Sequence, residues 1–205
     1  MQRRGIGGWE AKLDSLQGKV VLVTGAGKGA GRALAEFFVG RGARVVAVDL
    51  TPINLDETAA HIRASGGLVK TFLVDIARKL PVQGMLTQVL DEWQTIDILV
   101  NCAEVEPERL LLEMDEWDWA RTLDVNLTGA FLLTQSTGRI MKEKGGGILV
   151  HVSEPIMNKP GKAAYLASKA GLEKLVTCAA EEFQPWNIQV HLAHSVEEVK
   201  ELFSA

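Results

Sequence analysis

The chain has 205 residues, 47% of them hydrophobic and 23% charged, enough to bury one substantial core. Its 22 basic residues against 26 acidic ones leave a net charge of -4, which offers no general attraction for a nucleic acid backbone or an anionic membrane surface. Both kinds of partner are therefore excluded. With no apolar stretch long enough for a secretory signal or a membrane span, the expected compartment is the cytoplasm.

Residues 1–17 show no clear period and are expected to form a loose leader, with a single domain over 18–205. The apolar run at 20–24 reads as a buried strand, the stretch TGAGKGAG at 24–31 as a turn, and 32–41 as a helix. Further strands are expected at 44–49, 69–74, 96–101, 147–153 and 188–192, and further helices at 54–64, 83–93, 115–144 and 163–184. Residues 196–203 are expected to form a short helix over an exposed sheet edge. Short β-branched runs alternating with helical periods predict an α/β fold, a Rossmann-like doubly wound parallel sheet of about six strands with helices on both faces. Cys102 and Cys178 are far apart in apolar surroundings and read as buried thiols of a reducing compartment. His61, His151, His191 and His194 lack metal-ligand spacing, and no metal is expected.

The turn after the first strand has the makings of a phosphate cradle. Gly25 permits a tight turn, Gly29 lets the backbone approach a pyrophosphate, and Gly31 lets helix and sheet pack closely while helix N–H groups face the anion. Asp49 ends the second strand, where a carboxylate accepts from an adenosine ribose and repels a 2′-phosphate. That favours NAD over NADP. Lys28 argues the other way, and Leu50 supplies no second cation. Tyr165, the only tyrosine, stands four residues before Lys169, so both fall on one helix face. A neighbouring ammonium favours the phenolate, which predicts a phenol pKa lowered toward the working range.

The glycine spacing T-G-x-x-x-G-x-G, the strand DILVNCA, the helix DVNLTGAF and the motif YLASKAG follow in the order of the short-chain dehydrogenase/reductase family, which this chain resembles from about Leu16 to His191. The resemblance implies an NAD(H)-dependent interconversion of a small-molecule carbonyl and a secondary alcohol. Tyr165 would be the general acid and base, Lys169 would lower its pKa and hold the nicotinamide ribose, Ser153 would bind the substrate oxygen, and Asn126 would sustain a water-linked proton path. The resemblance also implies cofactor contacts at Gly25, Lys28, Gly29, Ala30 and Gly31, at Asp49 and Leu50, at Asp75 and Ile76, and along the backbone at Asn101 and Ala103. Ser153 stands one residue closer to Tyr165 than is usual in the family.

Two departures accompany the likeness. Glu104 stands where the family's N-N-A-G motif has its glycine, placing a charged side chain at the end of a strand beside the site. After the sixth strand, Ser195-Val196 stand in place of the usual Pro-Gly pair, and the customary seventh strand and substrate lid are expected to be lacking. These features leave a second reading open, a catalytically dormant NAD-binding regulatory or structural module of the same fold. Apolar positions on the two long helices, among them Trp117, Leu123, Phe131, Leu132, Leu172, Leu175 and Val176, point to a homodimer through those helices, as the resemblance also implies.

Overall fold

A computed structural model describes residues 16–155 and 157–204. Its strands are β1 (Val20–Thr24), β2 (Arg44–Asp49), β3 (Leu68–Leu73), β4 (Ile98–Asn101), β5 (Gly147–Val152) and β6 (Ile188–Ala193). They form one parallel sheet of six strands in the order β3-β2-β1-β4-β5-β6. Val21, Leu22, Val46, Val48, Leu99, Val100, Leu149 and Val150 are all buried, because a sheet covered on both faces needs runs that are apolar throughout rather than alternating.

One face of the sheet carries α3 (Lys79–Trp93), α5 (Ala130–Lys144) and α6 (Ala163–Phe183), through Met85, Val89, Leu133, Met141 and Leu172. The other carries α1 (Gly29–Gly40) and α2 (Pro52–Ala64), through Leu34, Phe38, Leu55 and Ile62. Strand order reverses between β1 and β4, so a crevice opens beyond their carboxyl ends, where sheets of this kind place their ligands.

Several expectations need correction. The helix expected at 115–144 is α4 (Glu116–Leu123), a π-helical turn (Asp124–Gly129) and α5. It stays right-handed throughout, and the wider turn places Asn126 inside the protein, where it is 1% exposed. The fourth strand starts at Ile98 rather than 96; just before it, the Asp97 carboxylate accepts the Val20 N–H at 2.9 Å and pairs with Lys19 at 3.0 Å. The last helix, α7 (Val196–Leu202), lies over the faces of β5 and β6 rather than along the open edge of the sheet. It packs on a sheet face beside α1, with the Phe203 and Phe38 rings edge to face at 5.0 Å.

Leu16, expected in the leader, is buried in the same cluster, Gln17 is exposed in a turn, and residues 1–15 lie outside the described residues. Cys178 is exposed rather than buried, because it faces outward from α6. Of the apolar excess on the long helices, Leu172 and Val176 serve the core, whereas Trp117 and Phe131 are exposed. Among the described residues no helix is long and apolar enough to cross a membrane.

Candidate active site

The turn between β1 and α1 is built by glycines that no larger residue could replace without cost. Gly25 has φ +63°, and a Cβ there would lie 2.9 Å from the Cys102 carbonyl carbon. A Cβ on Gly31 would stand 2.6 Å from the Gly25 carbonyl carbon, so the helix could not start so close to the turn. Gly29 differs: its φ is +54°, nothing lies within 4 Å of the position of a Cβ, and the residue borders open space. No side chain caps the N-terminus of α1. A backbone concavity with unspent N–H groups and room for a tetrahedral anion is what a diphosphate requires.

That concavity belongs to a cleft of about 410 Å³ running over the crevice between β1 and β4. It is lined by Gly25, Lys28, Gly29, Ala30, Gly31, Asp49, Leu50, Asp75, Ile76 and Ala103, all expected from the sequence, and by Glu104 and Arg121. Asp49 is committed to the loop as well as the cleft: Oδ2 accepts the Gly27 N–H at 2.8 Å and Oδ1 accepts those of Leu50 and Thr51. Asp75 accepts the Ala77 N–H and pairs with Arg121 at 2.8 Å. Gly27 and Arg121 were not singled out from the sequence. The intervals from Gly27 to Asp49 and from Asp75 to Arg121 carry no local signal, and only the fold closes them.

Asn101 does not line the cleft; its amide is buried in a chain of hydrogen bonds. The Ala103 N–H donates to Thr24 Oγ1 at 3.3 Å, and Thr24 Oγ1 donates to Asn101 Oδ1 at 2.5 Å. Asn101 Nδ2 lies 3.2 Å from His151 Nδ1, whose Nε2 lies 2.9 Å from Thr134 Oγ1, itself a donor to the Ala130 carbonyl at 2.8 Å. Because Thr134 spends its proton on that carbonyl, His151 must carry its own on Nε2 and accept from Asn101 on Nδ1. Burial, reinforced by the positive charge of Lys169, lowers the His151 pKa to about 4. The neutral imidazole thereby ties β4, β5 and α5 together beneath the cleft.

Tyr165 and Lys169 stand one turn apart near the start of α6, 6% and 2% exposed. The Lys169 ammonium lies 5.1 Å from the centroid of the Tyr165 ring. Between them comes Glu104. Its Oε2 accepts from Tyr165 Oη at 3.2 Å and lies 2.6 Å from Lys169 Nζ. An ammonium so deeply buried needs a counter-charge, and Glu104 supplies it.

The consequence reverses an expectation. The phenol pKa is not lowered by Lys169; burial raises it, and the charge and hydrogen bond of Glu104, with the charges of Glu106 and Glu154, raise it further. The ammonium's influence is spent on the nearer carboxylate.

Asn126 Nδ2 donates to the Val105 carbonyl at 2.9 Å and to Ser168 Oγ at 3.0 Å, while its Oδ1 accepts the Val105 N–H at 2.8 Å. Ser168 in turn donates to the Tyr165 carbonyl at 2.7 Å. Asn126 therefore fixes both the segment carrying Glu104 and the first turns of α6. Ser153 is 3% exposed and donates to the Glu154 carbonyl at 3.3 Å, its own carbonyl lying 2.9 Å from His194 Nδ1. Tyr165 also borders a second cleft of about 400 Å³, with Glu106, Glu154, Met157, Lys162 and Leu166. Glu104 thus stands between the glycine-loop cleft, which it lines, and the phenol that opens on the other.

The family model described as short chain dehydrogenase matches residues 19–195. The chain belongs to that family. Among the curated short chain dehydrogenases, the 3-oxoacyl-(acyl-carrier-protein) reductase FabG of Thermotoga maritima is 34% identical over 178 residues, covering 86% of this chain and 72% of the relative. D-threitol dehydrogenase of Mycolicibacterium smegmatis is 36% identical over 178 residues, covering 86% and 68%. Among solved structures, an NAD+-bound xylitol dehydrogenase superposes with a TM-score of 0.83 at 29% identity, over 86% of this chain and 69% of that one. The open six-stranded sheet of this short chain dehydrogenase is the common framework, and Glu104 with its two contacts is the feature set upon it.

Proposed function

We propose that this short chain dehydrogenase is an NAD(H)-dependent oxidoreductase that interconverts a carbonyl compound and a secondary alcohol, with Tyr165 as general acid and base. The observation that carries the reading is the burial of Tyr165 and Lys169 one helical turn apart, with Tyr165 bordering a second cleft of substrate size and both residues touching Glu104, which lines the glycine-loop cleft. A buried lysine with no role beyond packing would be a costly choice.

The residues present fit a nicotinamide dinucleotide. The open space beside Gly29 and the uncapped start of α1 suit a diphosphate, with Lys28 at its flank. Asp49, Leu50, Asp75 and Ile76 suit an adenosine, with Asp49 disfavouring a 2′-phosphate. When bound, the nicotinamide supplies the hydride donor or acceptor. Lys169 has three N–H donors, one of them turned to Glu104, and the others serve ribose hydroxyls. Tyr165 moves a proton to or from the substrate oxygen, Ser153 orients that oxygen, and Asn126 holds the turn of α6 from which Tyr165 acts. The likeness to D-threitol dehydrogenase and to xylitol dehydrogenase supports an alcohol substrate.

The test is a thermal-shift titration with NADH and NADPH, followed by turnover on a panel of alcohols and carbonyls with Tyr165→Phe as control. Stronger stabilisation by NADH with Tyr165-dependent turnover is the expected result. Binding with no turnover would favour the dormant module, for which the occupation of Lys169 and Tyr165 by Glu104 is the supporting observation. We also propose a homodimer through α5 and α6, whose outer faces form a groove of about 390 Å³ with Phe131, Leu175, Phe183 and Trp186. Light scattering on wild type and Phe131→Glu decides it, with a shift to monomer expected in the variant.

A further inference from the structure

We propose that Glu104 is the terminal proton acceptor of the site: as an alcohol is oxidised, Tyr165 takes the hydroxyl proton while passing its own to Glu104 Oε2, so that the phenol relays a proton without standing as a phenolate. The proposal rests on the oxidoreductase reading above and adds a proton path.

The geometry is that of a relay. Tyr165 Oη already donates its hydrogen to Glu104 Oε2 at 3.2 Å, and a hydroxyl that donates one bond keeps lone pairs with which to accept another. Tyr165 borders the second cleft, from which an alcohol O–H can address it. Lys169 Nζ, 2.6 Å from the same carboxylate oxygen, holds the acceptor in place. The Glu104 side chain is 37% exposed, so a proton received there has a way out to water.

Chemistry decides between this route and the simpler one in which Tyr165 acts alone as base. A free phenol titrates near 10, so fewer than about one in a thousand is ionised at neutral pH, whereas a free carboxylic acid titrates near 4 and is almost wholly ionised. Here the phenolate is disfavoured further by burial and by three surrounding carboxylates, Glu104, Glu106 and Glu154. Passing the proton onward avoids placing two adjacent negative charges in the site.

The step balances. The alcohol O–H bond breaks as a new bond to Tyr165 Oη forms, and the original Tyr165 O–H bond breaks as one to Glu104 Oε2 forms. The electron pair of the carbinol C–H bond leaves as hydride, for which the oxidised nicotinamide dinucleotide is the acceptor. The carbonyl product departs and Glu104 later loses its proton to water. The reverse reaction runs the same two transfers backward, with Glu104 returning the proton to Tyr165 as Tyr165 gives its own to the carbonyl oxygen.

The charged and titratable groups around Glu104 are consistent with this role. Tyr165 and Lys169 face it from α6, and Glu106, two residues along, is paired with Lys162 at 3.1 Å. Glu154 stands after β5. Across the glycine-loop cleft lie Lys28, Asp75 and Arg121, the last two paired with each other. Cys102, next but one in the chain, is held as a thiol, its pKa pushed up to about 12 by burial and by Glu104. His151, neutral in its buried network, does not compete for the proton.

The sole tyrosine makes the test direct, because tyrosinate absorbance in the free protein reads Tyr165 alone. In wild type its ionisation is expected well above pH 10, or not before alkaline unfolding as followed by tryptophan fluorescence. In Glu104→Gln it is expected at least one pH unit lower and resolved before unfolding. With cofactor and an alcohol, wild type is expected to hold its oxidation rate from alkaline pH down to about pH 6. Glu104→Gln is expected to lose at least tenfold at pH 7 and to recover toward pH 10, and Glu104→Asp to restore part of the neutral rate. An unchanged Tyr165 midpoint, or a Glu104→Gln rate at pH 7 equal to or above wild type, would overturn the relay while leaving the oxidoreductase reading intact. No oxidation by wild type at any pH would remove the reading and the relay together.

Discussion

The carboxylate of Asp49 accepts the backbone N–H of Gly27 at 2.8 Å, so the residue proposed to select the cofactor also holds the loop that would receive its diphosphate. A Cβ on Gly27 would lie 2.7 Å from the same oxygen, and the loop can approach Asp49 only because Gly27 has none. Asp49→Ala is therefore expected to act twice. Loss of the acceptor for three N–H groups lowers stability by about 1–3 kcal/mol, and discrimination against NADPH relaxes. Thermal shifts with each nucleotide separate the effects; an unchanged preference beside a lowered melting temperature would leave Asp49 a purely structural role.

Gly29 and Gly31 sit two residues apart and should lose stability to alanine for different reasons. At Gly31 the methyl would meet the Gly25 backbone, which cannot yield as a side-chain tip can, so Gly31→Ala is expected to cost about 1–3 kcal/mol along with nucleotide binding. At Gly29 the methyl meets nothing, and only the positive φ opposes it, for about 1–2 kcal/mol. Gly29→Ala should melt closer to wild type yet bind nucleotide at least tenfold more weakly. Equal binding by Gly29→Ala and wild type would show that no diphosphate rests there.

His151 makes stability depend on acid. Its pKa is about 4 in the folded protein and near 6.5 in an unfolded chain, so between these values the unfolded state binds a proton that the folded state refuses. Stability should fall as pH drops from about 6.5 to about 4, by a total of roughly 3 kcal/mol, and this contribution should level off below that window. Denaturant melts of wild type and His151→Asn across this range provide the check. The variant's stability should vary less between its ends, and parallel curves would count against the buried neutral imidazole.

Phe203 is fully buried against Phe38, and its carbonyl accepts from Arg41 at 2.8 Å. Phe203→Ala is expected to cost about 3–5 kcal/mol, on the order of 6–20 °C in melting temperature for a chain of this size. A loss below 1 kcal/mol in a denaturant melt would mean that α7 is not anchored to the sheet face in solution.

Much of this was legible in the residues. Apolar runs such as Val20–Thr24, the glycines after them and the four-residue step from Tyr165 to Lys169 are local patterns, and local patterns follow from backbone geometry alone. Six parallel strands, the crevice beyond β1 and β4, and a tyrosine and lysine on one helix face are their direct consequences. The widened turn at Asp124–Gly129 was not legible, since a π turn differs from its neighbours by one hydrogen-bond step and not by any residue preference.

What the sequence determined by itself was which groups are present and on which elements they stand. Tertiary structure alone decided their charge relations, because these depend on distances between residues remote in the chain. From the spacing of Tyr165 and Lys169, an ammonium should ease the phenol's ionisation. Folding brings Glu104, 61 positions from Tyr165, to the same ammonium at 2.6 Å, and Coulomb energy between so close a pair outweighs the more distant influence of Lys169 on the phenol. Burial then strengthens every charge that remains, turning an expected activator into the anchor of a carboxylate.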